Sequence, residues 1–99
     1  MPFNNRYLLE RHFVRHGEEF GSKTADEYEK QAELFMTGLL REGVLECYRR
    51  NGARVRFDPA TDNFGIVTPG GNLLTFMKAT PLPSDRHTAK QYYELNCRR

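Results

Sequence analysis

Val44-Leu45-Glu46-Cys47-Tyr48-Arg49-Arg50-Asn51-Gly52-Ala53-Arg54-Val55-Arg56-Phe57-Asp58 reads as two strands joined by a tight turn. Asn-Gly between β-prone runs is the strongest short hairpin signal, because both residues tolerate the positive φ of a type I′ turn. The same pattern continues downstream. Asp58-Pro59-Ala60-Thr61-Asp62-Asn63 and Pro69-Gly70-Gly71-Asn72 are the next two reversals. They predict strands over residues 44–49, 53–58, 64–68 and 73–78, consecutive and closely linked, as in an antiparallel meander.

Upstream, the period changes from two to 3.6. Leu8, Leu9 and Phe13 predict a helix from about residue 6 to 16, with Asn4 or Asn5 as cap and Gly17 as an expected left-handed stop. Thr24-Ala25-Asp26-Glu27 is a capping box, and Ala25, Tyr28, Ala32, Phe35, Met36 and Leu39 form the apolar stripe of a second helix. The fold class expected is α+β, with two N-terminal helices packed on a four-stranded antiparallel meander. The tail from Pro81 is expected to be irregular, with a short helix over 88–96. The chain is read as a single domain, 1–99, with its core at about 6–78 and a tail at 79–99.

Alternation along the strands sorts side chains by face. Val55, Phe57, Leu74 and Phe76 are expected to cover one core beneath the helices. Arg54, Arg56 and Thr75 would then line the outer face together, while Lys78 points coreward unless it lies past the strand end.

Composition narrows the class. Apolar residues make 38% and charged residues 28% of the 99, enough for one packed core. There is no apolar run of about 18 residues, so no membrane span is expected, and the N-terminus lacks the apolar core of a signal peptide. Cys47 and Cys97 stand in unrelated contexts, which points to free thiols in a reducing compartment. Net charge is only +2, but it is unevenly spread. Residues 1–17 and 49–99 are basic, and residues 18–48 are acidic. A local positive field attracts phosphate whatever the total charge.

The candidate chemistry sits in Arg11-His12-Phe13-Val14-Arg15-His16-Gly17-Glu18-Glu19-Phe20-Gly21. Residues four apart share a helix face, so His12 and His16 can reach one volume. Imidazole gives and takes protons near neutral pH. A zinc pair is disfavoured because Phe13 follows His12 where the metalloprotease helix has Glu. No metal or other cofactor is expected. Histidine, arginine and a hydroxyl without a metal-ligand set suit cleavage of RNA, whose own 2′-hydroxyl is the nucleophile.

The run from His12-Phe13 through His16-Gly17 to Phe20-Gly21 is followed by Arg56-Phe57-Asp58, Asn63-Phe64-Gly65-Ile66-Val67 and Gly71-Asn72-Leu73-Leu74-Thr75-Phe76-Met77-Lys78. This order resembles small ribonuclease toxins of the barnase/EndoU/colicin/RelE-like superfamily, nearest to the colicin D-like and contact-dependent-inhibition C-terminal domains. The resemblance implies a metal-independent endoribonuclease with RNA, first of all tRNA, as substrate. It places the catalytic imidazole at His16, with Arg15 beside it and the phosphate-contacting hydroxyl at Thr75. His12 would orient His16 or share the proton work, and Arg54, Arg56 and Lys78 would contact RNA. It implies a cognate immunity protein or antitoxin, no membrane partner, a monomer when free, and action in the bacterial cytoplasm. Phe13 and Val14 stand where colicin D relatives carry lysines, and Met77 where they favour an aromatic. Anticodon-loop specificity is therefore not implied.

Each residue also has a purely structural reading. His16 can be a helix C-terminal histidine held by the dipole, His12 a packed neighbour of Phe13, Thr75 a β-former, and Arg54 and Arg56 solvated charges. Tyr92 and Tyr93 read as tail packing or base stacking, and His87 as a loop residue or a second acid or base. The rival to catalysis is a non-catalytic module of the same fold that binds RNA or protein.

Overall fold

The expected hairpins form in sequence order. In a computed structural model, which describes residues 1–79 and 87–99, the elements are α1 (Arg6–His16), a 3-10 turn (Gly17–Phe20), α2 (Ala25–Thr37), β1 (Leu45–Tyr48), β2 (Arg54–Asp58), β3 (Asn63–Val67), β4 (Leu73–Lys78) and α3 (Ala89–Cys97). The sheet is a fully antiparallel meander in the order β1-β2-β3-β4. The irregular run expected from Pro81 lies, as far as residue 86, outside the described residues.

Side-chain caps account for the helix starts. Asn5 accepts from the Leu8 N–H at 2.9 Å, and Thr24 from the Glu27 N–H at 3.1 Å. Thr88 and Gln91 close a full capping box on α3. The end of α1 differs from expectation. Gly17 stays right-handed (φ −58°), the chain tightens into the 3-10 turn, and Gly21 (φ 66°) supplies the left-handed stop.

Both sheet faces are covered, which corrects the expectation of a single core. On one face α1 and α2 bury Leu9, Tyr28, Ala32 and Met36 against Val67, Leu73 and Phe76. On the other, Tyr93 of α3 joins Val55, Phe57, Phe64 and Ile66. Val55 and Phe57 therefore lie on the opposite face from Phe76. A register shift opposite Ile66 and Val67 also changes the phase of β4. It turns Leu73 inward (2% exposed) and leaves Leu74 outward (45%), the reverse of simple alternation. At Gly65 a Cβ would come within 2.6 Å of Met36 Sδ, so the missing side chain lets α2 close onto β3.

Cys47 and Cys97 are joined as a disulfide, which corrects the expectation of free thiols. Nothing in either local sequence signals the pairing. The fold creates it by laying the end of α3 across β1, with a Cα–Cα distance of 5.9 Å. The bond closes a separation of 50 residues, and such closures stabilise by about 2–4 kcal/mol, chiefly through the unfolded chain. Cys97→Ser should lower the urea midpoint accordingly and abolish its response to dithiothreitol. An unmodified chain with the same midpoint with and without reductant would refute the effect.

Candidate active site

The 3-10 turn builds the site. Three residues per turn bring Glu19 back beneath His16, and the Glu19 Oε2 to His16 Nδ1 distance is 2.6 Å. An ionised carboxylate only accepts, so the hydrogen resides on Nδ1 and the lone pair of neutral His16 on Nε2. Among the described residues nothing hydrogen-bonds to Nε2. The His16 side chain is 19% exposed, which shelters the ring while keeping it in reach of solvent.

The other carboxylate oxygen of Glu19 accepts from the backbone N–H of Lys78 at 2.7 Å. That N–H belongs to the edge strand β4, where the sheet offers no neighbour. One side chain thus ties the catalytic candidate on α1 to the end of β4. Lys78 continues the cluster, because its Nζ donates to Thr61 O at 3.0 Å and to Asn63 Oδ1 at 2.5 Å. The same ammonium lies 5.2 Å from the Phe20 ring centre, and Phe20 stacks on Phe76 at 3.9 Å. Lys78 is therefore on the helix side of the sheet, at its rim.

His12 is placed differently from His16. Its ring stacks on Phe3 at 5.0 Å and lies 6.2 Å from the His16 ring. Its Nδ1 is buried with no hydrogen-bond partner among the described residues. Burial first, and then repulsion from His16 when it is protonated and from Arg15 and Arg11, hold its pKa below the ordinary histidine value. The neutral form is favoured, so His12 adds a polarisable ring beside His16 without a second charge. Arg15, the residue before His16, is exposed and lines a surface groove with Tyr7, Glu10, Arg11 and Val14.

Two sets of expected site residues lie elsewhere. Arg54 and Arg56 are turned under the C-terminal end of α2. Arg54 Nη1 donates to Met36 O at 2.6 Å. Arg56 is 6% exposed, donates to Phe35 O at 2.9 Å and Gly38 O at 2.7 Å, and pairs with Glu46 at 2.7 Å. These contacts correct the expectation that the two arginines line an open, RNA-facing surface. The arginines satisfy the last carbonyls of the helix, where its dipole is negative. Thr75 pairs with Ile66 on the α3 side of the sheet, away from α1. It therefore does not share a face with Arg54 and Arg56, nor does it complete the His16 cluster. Tyr92 and Tyr93 pack on Phe64 and Phe57, and His87 is exposed.

Sequence reasoning missed Glu19. Its signal was present in the i,i+3 spacing of His16 and Glu19, which places two residues side by side on any helical turn. A cavity of about 440 Å³ opens beyond Asn63, walled by Phe35, Leu39, Arg41, Asp58 and Thr61. Neither His16 nor Glu19 lines it.

Compared with solved structures, the chain is similar to a ribonuclease from Escherichia coli complexed with its inhibitor protein. The TM-score is 0.57, with 23% identity over 89% of this chain and 95% of that one. The shared feature is the fold. No family model matches the chain, and no curated protein matches it.

Proposed function

We propose that this chain is a metal-independent endoribonuclease domain of toxin type. The observation that carries the reading is the His16–Glu19 pair at 2.6 Å, tied through Glu19 to Lys78 on a fold similar to that of a ribonuclease. Nε2 of His16 takes the proton of an RNA 2′-hydroxyl as that oxygen attacks the adjacent phosphorus. The bond to the 5′-oxygen breaks, and that oxygen leaves as a hydroxyl after taking one proton back. A 2′,3′-cyclic phosphate remains. Arg15 and Lys78 supply positive charge for the crowded phosphate, and His12 packs beside His16. Glu19 fixes the tautomer and holds the ring. DNA lacks the attacking hydroxyl and is not a substrate.

RNA is the substrate class, with tRNA the first to test. A protein inhibitor belongs with such an activity, as with the similar ribonuclease, whose structure includes one. An acidic surface on that inhibitor would match Arg15 and Lys78. The decisive experiment incubates the purified chain with total RNA, with and without chelator, and maps new 5′-hydroxyl and cyclic-phosphate ends. Such ends at discrete positions in tRNA are the expected result, and RNA left intact over hours would overturn the reading. The position of Thr75 away from His16 favours one alternative, a non-catalytic RNA-binding module, which predicts bound but uncut RNA.

A further inference from the structure

We propose that the corner where the disulfide joins β1 to α3 is a second, non-catalytic site that grips the phosphate backbone of RNA. The proposal rests on RNA being the substrate. Cys47 is followed by Tyr48, Arg49 and Arg50, and Cys97 by Arg98 and Arg99. The Cys47–Cys97 bond, with its Cα atoms 5.9 Å apart, sets these two basic segments side by side. Four guanidinium groups from opposite halves of the sequence are thus covalently gathered.

Arg49 is built into this corner, and the other three project from it. Arg49 is oriented, because its Nε donates to Asn96 O at 2.7 Å and its Nη2 to Asn96 Oδ1 at 2.8 Å. The approach of Arg99 is close enough that, after burial, its charge is the next cause holding the Arg49 pKa below the ordinary value. Arg50, Arg98 and Arg99 are exposed. Among the described residues, no side-chain carboxylate forms an ion pair with any of the four. Glu46 is taken by Arg54 and Arg56. Gathered like charges oppose folding unless an anion occupies them. Tyr48 adds an exposed ring (67%) on which a base can stack. Guanidinium groups match phosphate by geometry as well as charge.

This corner lies far from His16. Tyr48 pairs with Arg54 and Arg54 with Val67, at one end of the sheet. Lys78 pairs with Asn63 and Asn63 with Asp58, at the other end. β1 and β4 are also opposite edges. With a longest dimension of 31 Å, reaching both sites takes roughly nine nucleotides of helical strand at about 3.4 Å each.

The test compares His16→Ala with His16→Ala carrying R50A, R98A and R99A as well. Arg49, tied to Asn96, is left in place. Binding of a labelled RNA of about 30 nucleotides is measured across a salt series. Three lost phosphate contacts should weaken binding by at least about tenfold at low salt and flatten the log–log salt slope by about 2. A charge-matched control, K23A with K30A and K90A, should leave that slope nearly unchanged. Equal losses in both triple variants, or no loss in the first, would overturn the patch. So would a first variant that no longer binds phosphatidylserine vesicles yet keeps its grip on RNA. The two readings fail separately. RNA that is held through these arginines but never cut supports the patch and sinks the ribonuclease, and cleavage with identical salt slopes does the reverse.

Discussion

His16→Ala is expected to slow RNA cleavage by about a hundredfold to ten-thousandfold, the range typical of a lost proton-transfer group. The fold should hardly notice. His16 sits at the last position of α1, partly exposed, and contributes one hydrogen bond to Glu19. Truncation should therefore leave the thermal midpoint within a few degrees. RNA affinity should also survive, because Arg15, Lys78 and the remaining cations are untouched. A fall in rate that merely tracked a fall in affinity would mean a binding residue, and the proton-transfer role would be lost.

Glu19→Gln sharpens the same test. The amide oxygen can still accept from the Lys78 N–H, but the amide NH2 would then face His16 Nδ1. A donor facing Nδ1 favours the opposite tautomer, with the hydrogen on Nε2 and no lone pair for the 2′-proton. Activity should drop by about tenfold or more, and the acid limb of the pH–rate profile should move with it. If Glu19 only braced the edge of β4, the profile would keep its shape while stability changed.

Arg56→Ala carries the largest expected loss of stability, about 2–4 kcal/mol, because it removes a buried guanidinium and leaves a half-buried carboxylate and two helix-end carbonyls without their donor. The guanidinium is almost fully enclosed and holds Glu46, Phe35 O and Gly38 O together. Without it Glu46 keeps, among the described residues, Arg54 alone, at 3.4 Å, and two carbonyls near the end of α2 lose their donor. The urea midpoint should fall with little change in slope. Pairing Arg56→Met with Glu46→Leu should restore much of the loss, since the charge left behind accounts for most of it. A loss under about 1 kcal/mol would mean that solvent reaches the pair easily. RNA affinity that dropped while stability held would return Arg56 to the nucleic-acid surface.

Much of the architecture was legible because it rests on local chemistry. Asn51-Gly52, the Pro59 turn and the Gly70-Gly71 turn cut the second half into four runs, and these runs became β1 to β4 in order. Thr24 and Asn5 capped the expected helices through single side-chain bonds. His16 was legible for the same reason, as an imidazole at a helix end. Where longer contacts decide, the reading broke. A one-residue irregularity in β4 exchanged the faces of Leu73 and Leu74, a two-residue period that no local signal interrupts. Covering the second face with α3 separated Thr75 from α1 and placed Val55 and Phe57 in a core of their own.

By itself, then, the order of residues determined the elements, their succession and the position of the candidate imidazole, since caps, turns and periodicity act within a few residues. Only the tertiary structure decided that Arg54 and Arg56 serve α2, that Glu19 is the partner of His16, and that Cys47 meets Cys97. Most of those pairings join groups that the sequence keeps far apart, and the His16–Glu19 contact, only three residues long, needed the chain to go on turning past Gly17. Charge, burial and hydrogen-bond geometry selected them once the layers had packed.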